Sequence, residues 1–400
     1  MRAKRTAFTQ IQCADLPELD LEALDKGEVV EFKKPGVLGF SALVPAHQRL
    51  EIKDVECLAN LSAEQWVTVA KSDEAQINNL AELGFVVVDI DEEPYLTYRK
   101  HDEMFTAGGW TPEAACFHFA AEDRYEYDQA ADLETAIKEA PEKFAQKVKD
   151  FGPPPPAFWE PERVGEWQPL PMATAEGQLY ELLASRRSVR TYTDKALSKK
   201  QLATLLYEVW GCRGTSELAK DLPVLRKSAP AGGSMHPTEV YTLIRNVEGF
   251  EPGIYHYSSE RHALGLIEAK TADEIAELAV ECSHGQTWLK EASIIFIMTS
   301  RWTRHMWKYR DVSRAYTVMY MDAAHLSQSF YLVAGELGLG NCVTGALDAP
   351  TIESALGLDG INQGPLALIG CGYPDDRIVF EAEPFTPGAG EGALGVNPSR

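Results

Sequence analysis

Three stretches of this 400-residue chain combine residue types that can hold a charged ligand or move a proton. The first contains Lys308-Tyr309, a candidate proton-transfer pair beside a basic cluster of Arg301, Arg304, His305 and Arg310. An amine or phenol serves as a base near neutral pH only when desolvation or cationic neighbours depress its pKa, and the arginines and His305 can supply those neighbours. Neighbouring residues on one helix diverge by about 100°, so both face one ligand only where the backbone is irregular. The second is Ser185-Arg-Arg-Ser-Val-Arg190. Arg186, Arg187 and Arg190 around Ser188 can surround a phosphate with paired donors, or simply end a helix with solvated cations. The third runs from Lys227 to Glu239, where Pro230-Ala231-Gly232-Gly233 allows close backbone approach to a flat ligand; an ordinary surface turn is the alternative. It matches neither the P-loop nor the dinucleotide-binding fingerprint. Val343-Thr344-Gly345 closes the set as a short turn that offers backbone N–H groups.

These stretches need a frame. Residues 315–337 carry an apolar pattern too long for a strand, and they predict a helix buried on both sides that stops at Gly338 and Gly340. Helices are expected at 177–185, 198–209, 271–282 and 352–356. Strands are expected at 240–245, 292–299 and 365–371, with a hairpin from 254–257 and 263–268. Helices flanking a mostly antiparallel sheet make this part, residues 171–385, an α+β domain, and the Gly/Pro-rich end, 386–400, reads as a flexible tail.

Residues 1–105 read as a smaller domain. Short strands are expected at 28–32 and 40–44, and an apolar stripe runs over 50–58. Ser62 has the look of an N-cap with Gln65 three positions on. A helix at 73–83 stops at Gly84 and feeds a β-branched strand at 85–90. This is a generic α+β module or, more sharply, a winged-helix unit that binds a peptide leader by strand addition. Glu74, Glu82, Asp89, Asp91, Glu92 and Glu93 around the expected wing disfavour DNA. Residues 106–170 connect the two parts, with a charged solvated helix over 122–149 and a Pro-rich spacer at 151–157.

A net charge of −22 argues against nucleic-acid binding. Seven cysteines without C-x-x-C spacing read as reduced thiols, with no metal site. With no long apolar run and no secretory signal, the expected compartment is the cytoplasm.

Taken together, SRRSVR, SAPAGGSMHPTEVY, WKYRDVSRAY followed by DAAHLSQSFYLVAGELGLGNC, and PLALIGCGYP make residues 179–374 resemble the FMN-dependent nitroreductase superfamily. Within it, the chain looks like the SagB-type dehydrogenases that oxidise azolines to azoles in modified peptides, and GWTPEAACFHF resembles the segment preceding that domain. The resemblance implies FMN at a homodimer interface. Arg186, Arg187, Ser188 and Arg190 would hold the phosphate and ribityl chain, with Arg377 as a late phosphate contact. Pro230, Ala231, Gly232 and Gly233 would line the flavin; Ala231 stands where the family often has serine. Thr344 and Gly345 would present N–H groups to the flavin edge, and Lys308-Tyr309 matches the Lys-Tyr pair of azole-forming members. The implied partners are a precursor peptide and a cyclodehydratase. An NAD(P)H-dependent flavin or nitro-compound reductase, or a flavin-free scaffold subunit, are the alternatives.

Overall fold

The apolar run at 292–299 becomes the middle of a six-stranded sheet. The computed structural model describes residues 1–19, 31–122, 132–158, 176–220, 222–375 and 377, with isolated positions between 161 and 171. In the first half these form β1 (Arg2–Arg5), β2 (Thr9–Leu19), β3 (Glu31–Ser41), β4 (Val44–Leu50), α1 (Ile52–Ala59), β5 (Val67–Thr68), α2 (Glu74–Glu82), β6 (Val86–Val88), α3 (Tyr95–Gly108), α4 (Pro112–Ala121) and α5 (Leu133–Phe151). In the second half they form α6 (Gln178–Ser185), α7 (Lys199–Trp210), β7 (Gly214–Ala219), β8 (Leu222–Arg226), β9 (Thr238–Ile244), β10 (Gly253–Ser258), β11 (Ala263–Ala269), α8 (Ala272–Glu281), β12 (Ile294–Arg301), α9 (Trp302–Lys308), α10 (Arg314–Glu336), β13 (Gly340–Thr344), α11 (Ala349–Leu356) and β14 (Gln363–Gly372).

The main sheet has the order β11-β10-β9-β12-β14-β13, and every neighbouring pair is antiparallel, so the α+β expectation holds. β12 is buried on both faces, and its side chains alternate between two cores. Ile294, Phe296 and Met298 join Trp210 and Phe330 under α7 and α10. Ile295 and Ile297 join Ile275 and Ile352 under α8 and α11. Helix starts follow local cap chemistry: Ser198 with Gln201, and Thr271 with Glu274, each form a complete capping box. No helix among the described residues is long and apolar enough to cross a membrane.

The first half departs further from expectation. The strand expected at 28–32 survives only as the start of β3, since residues 20–30 lie outside the described residues. The one expected at 40–44 is split between the end of β3 and the start of β4. β1 and β2 were not expected, and β2 pairs with β3 from Thr9↔Ser41 to Leu19↔Glu31. Ser62 Oγ accepts the N–H groups of Glu64 and Gln65 at 3.1 and 3.0 Å, yet no helix follows. Val67-Thr68 instead pairs with Ala3 and Arg2, and that ladder overrides the cap. α2 does end at Gly84, where φ is +76°, and leads into β6. β6 then passes to α3, and no wing hairpin follows it. α5 is exposed along its length, and the expected tail lies outside the described residues.

Residues 106–121 are more than a connector. Trp110, 5% exposed, packs against Phe105, His118, Trp302 and Tyr316, and its indole N–H donates to the Ile361 carbonyl at 2.9 Å. Thr111 bonds Ser313 at 2.9 Å, and His118 Nδ1 meets the Tyr316 hydroxyl at 2.9 Å. The two halves therefore share one core around these aromatics. Truncation of a buried tryptophan costs about 3–5 kcal/mol. Trp110→Ala is expected to lower the thermal midpoint of the whole chain in one calorimetric transition. Two transitions, with the later one unmoved, would contradict a shared core.

Glu353 on α11 is confined between Gly360 and Gly364, and its Oε1 is buried without a partner among the described residues. Burial, reinforced by Glu122 and Asp359, pushes its pKa up to about 8. A carboxyl raised in this way keeps its proton in the folded chain while the unfolded chain releases it above about 4.5, so stability falls as pH rises through that window. Thermal midpoints of wild type and Glu353→Gln, measured from about pH 5 to about pH 8, should diverge, with the variant losing less stability as pH rises.

Candidate functional site

Ahead of β9 the chain makes a strained turn, closed by the Ser234 and Met235 N–H groups on the carbonyls of Ala231 and Gly232. Gly233, Ser234 and His236 have φ values of +58°, +60° and +44°, and two of the three are not glycine. Three side chains grip this turn. The Asp322 carboxylate accepts the Gly232 N–H at 2.9 and 3.2 Å. Lys308 Nζ donates to the Gly233 carbonyl at 2.8 Å, and Arg304 Nε to the Met235 carbonyl at 2.7 Å. Arg304 and Lys308 are four apart on α9 and so lie on one face of it.

Lys308 and Tyr309 both reach Gly233. α9 ends at Lys308, and Tyr309 has φ −115° and ψ +45°, which supplies the irregular backbone that the pair requires. A Cβ on Gly233 would run into the Tyr309 hydroxyl and Lys308 Nζ, and one on Gly232 would stand 2.5 Å from Val318 and 2.8 Å from the His305 ring. His305 is fully buried, and neither ring nitrogen has a partner among the described residues. Burial, and then Lys308, push its pKa down to about 4, so it is neutral and cannot be the expected cationic neighbour. Arg310 turns away and donates to the Ala107 carbonyl at 3.0 Å. The linear basic cluster is thus divided by the helix that carries it.

Asp322 is the residue that the sequence reading passed over. It is 3% exposed, and burial raises its pKa against the lowering effect of the Gly232 N–H. The available signal was one aspartate inside an apolar-periodic helix, where a buried charge is costly without a partner.

The arginine stretch lies elsewhere. α6 ends at Ser185, and Val189 N–H donates to the Asn341 carbonyl at 2.9 Å, which lays residues 186–190 along β13. Arg186 sits over the Tyr331 ring at 5.2 Å. Arg186 and Arg187 line a cavity of about 230 Å³ with Tyr331 and Asn341, whose Oδ1 is buried without a partner among the described residues. The Tyr331 hydroxyl lies 3.0 Å from Ser188 Oγ and accepts the Val343 N–H at 3.2 Å. Arg190 and Arg377 line a second cavity, of about 420 Å³, and Arg377 is taken up by Asp375 and Glu291 at 2.6 Å each. Val343 and Thr344 end a strand rather than form a turn, and the Thr344 hydroxyl accepts from Gln286 and from the Ala346 N–H, each at 3.1 Å. Gly345 is exposed, and a Cβ there would meet open space.

α10 ties these groups together and also separates them. Asp322 and Tyr331 are nine residues apart, about 13 Å along the axis, and two and a half turns put them on opposite flanks. Within one chain the gripped turn and the Arg186–Arg187 cavity do not meet at one point. Backbone strain at a left-handed position costs about 1–3 kcal/mol. Gly233→Ala is accordingly expected to lower the thermal midpoint clearly, while Gly345→Ala leaves it nearly unchanged; equal effects would mean that the turn has freedom to relax.

A family profile described as the nitroreductase family matches residues 183–373. MJ1384 of Methanocaldococcus jannaschii, named as a nitroreductase, is 31% identical over 198 residues, covering 49% of this chain and 91% of its own. The trifolitoxin-processing protein TfxB of Rhizobium leguminosarum bv. trifolii is 35% identical over 136 residues, covering 34% of this chain and 36% of its own. Among solved structures, a chain of the E. coli microcin synthetase McbBCD complex with truncated pro-MccB17 bound is 20% identical with a TM-score of 0.42, covering 62% of this chain and 100% of that one.

Proposed function

The chain belongs to the nitroreductase family, and we propose that it is an FMN-dependent dehydrogenase that matures a ribosomally made peptide by oxidising an azoline, a thiazoline or oxazoline, to the azole. The observation that carries this reading is the convergence of Lys308 and Tyr309 on Gly233, at a turn that Asp322 and Arg304 hold in place. The similarity to the trifolitoxin-processing protein supports a peptide as substrate.

The residues present fit FMN. A cavity with two guanidiniums, an unpartnered amide oxygen and a tyrosine hydroxyl has the donor chemistry for a phosphate and a polyol. Arg186, Arg187 and Ser188 would hold that end, with Arg190 behind them next to the Cys342 thiol. Pro230, Ala231, Gly232 and Gly233 would line the ring, and the backbone of Thr344 and Gly345 would face its edge. Arg377, held by two carboxylates, leaves this set. When bound, FMN would supply a hydride acceptor, with dioxygen as the final oxidant.

The chain's own residues do the rest. The gripped turn positions the substrate carbon, and Lys308 and Tyr309 act as, or tune, the base that takes the proton leaving as the azoline loses its hydride. Buried, neutral His305 keeps the wall behind Gly232 dry. Because the turn and the arginine cavity lie on opposite flanks of α10, a homodimer in which each protomer completes the other's site fits the geometry. The first half would hold the peptide's leader or a cyclodehydratase, raising the local concentration of substrate. The cytoplasm is the compartment this reading implies.

Lys308→Ala and Tyr309→Phe are expected to keep bound flavin, read from its visible absorbance, and to abolish loss of two hydrogens from an azoline peptide, read by mass. Unchanged turnover would remove the pair from the chemistry. Rapid anaerobic reduction by NADPH with an inert azoline peptide would replace the reading with that of a nitro-compound reductase, and purified protein that takes up no FMN would replace it with that of a scaffold.

A further inference from the structure

Arg301, which the proposed chemistry does not use, and Arg304, which it uses only to hold the turn, open into a concavity of about 500 Å³ beside Met235. Its walls are Leu222 and Pro223 of the β7–β8 hairpin, Met235, and Trp307, which is half exposed. Lys227 lies near them, and burial, then the like charge of the two arginines, lowers its pKa. The same cations and burial hold His236 near 4, so it stays neutral. Among the described residues, Glu239 is the carboxylate paired with this group. Glu239 stands 3.1 Å from Arg301 Nε, a contact of charges without an aligned hydrogen bond, and it is shared with His256 at 3.7 Å. Two guanidiniums and an ammonium against one carboxylate leave a positive, partly desolvated hollow in a chain whose net charge is −22. An anion entering it would gain charge-assisted bonds in a place where water competes poorly.

The position of the hollow selects the anion. Arg304 lies one turn of α9 from Lys308, about 6 Å. An extended peptide advances about 3.4 Å per residue and returns to the same face every second residue. Two guanidiniums with the apolar side chains of Leu222, Pro223, Met235 and Trp307 beside them suit a short side chain that ends in a carboxylate.

We propose that this hollow binds the carboxylate of an acidic side chain on the peptide substrate, two residues from the residue that reacts. The assignment rests on the peptide-dehydrogenase reading above and adds to it a sequence preference. A nucleotide phosphate is the other anion of suitable charge, but the walls hold no glycine-rich phosphate loop.

The test is a titration of the full chain with acetyl-Gly-Asp-Gly-amide and with its Asn counterpart. It is read from the ¹⁹F signal of 5-fluorotryptophan at position 307, assigned with Trp307→Phe. The Asp peptide should bind roughly tenfold more tightly than the Asn peptide, a preference that falls with salt. Arg304→Gln should erase that preference. Because Arg304 also bonds the Met235 carbonyl, Arg301→Gln is measured beside it, with the other fluorotryptophan signals as the check that the fold is kept. Equal affinity of the two peptides, or a preference that survives both substitutions, overturns the proposal. So does adenosine 2′,5′-bisphosphate binding more tightly than the Asp peptide with the same arginine dependence, which would make the hollow a nucleotide site. No turnover enters this measurement, so failure of azoline oxidation and failure of acidic-side-chain binding are read separately.

Discussion

The candidate site depends on a strained turn that distant side chains restrain. Three residues of left-handed backbone lie within four positions, two of them carry a Cβ, and the only local closure among the described residues is by the Ser234 and Met235 N–H groups to the carbonyls of Ala231 and Gly232. The restraint comes from two helices at once. α10 contributes a buried carboxylate to the Gly232 N–H, and α9 contributes cations to the carbonyls of Gly233 and Met235. The charges are complementary along the turn, with the anion at its donor end and the cations at its acceptors. Buried charge is tolerated here because it is bonded to backbone dipoles. The same lysine that bonds the Gly233 carbonyl stands with Tyr309 against the Gly233 Cα.

α10 does a second thing by its length. Its middle serves the turn, and its last turns, through Tyr331, hold the backbone at Ser188 and Val343. Two and a half helical turns keep these groups on opposite flanks. Packing at α10 is therefore felt at both places together.

Much of the second half was legible in the sequence. Ser198 and Thr271 announce their helices with full capping boxes, and the uninterrupted apolar residues of β12 and β14 can only be central strands. The Lys308-Tyr309 pair and the Gly232-Gly233 turn were recognisable, and the structure brings them together. The remainder was decided by partners remote in sequence. Ser62 forms the bonds of a cap, but pairing with the N-terminal strand decides the fate of the next residues. β2 and β3 carry Pro17, Pro35, Gly36 and Gly39, which mask the two-residue alternation of a strand. His305 looks cationic in the chain and is neutral in the fold, because burial outweighs its basic neighbours. The compact string of arginines divides between two cavities, since residues 186–190 run extended along β13 and Arg190 does not share a cavity with Arg186 and Arg187.

Trp110 gives the architecture a consequence for how such proteins can be rearranged. The Pro-rich stretch near residue 155 looks like a natural seam between the two halves. A cut there leaves the first half without its partner surface, because the segment from Phe105 to His118 joins the aromatic cluster around Trp302 and Tyr316. A chimera joined at the prolines would bring a foreign aromatic surface to that cluster, and one joined ahead of α3 would part Phe105 and Asp102 from Phe8, Lys4 and Thr6. Any exchanged module therefore has to match the segment from Phe105 to His118 on both of its sides.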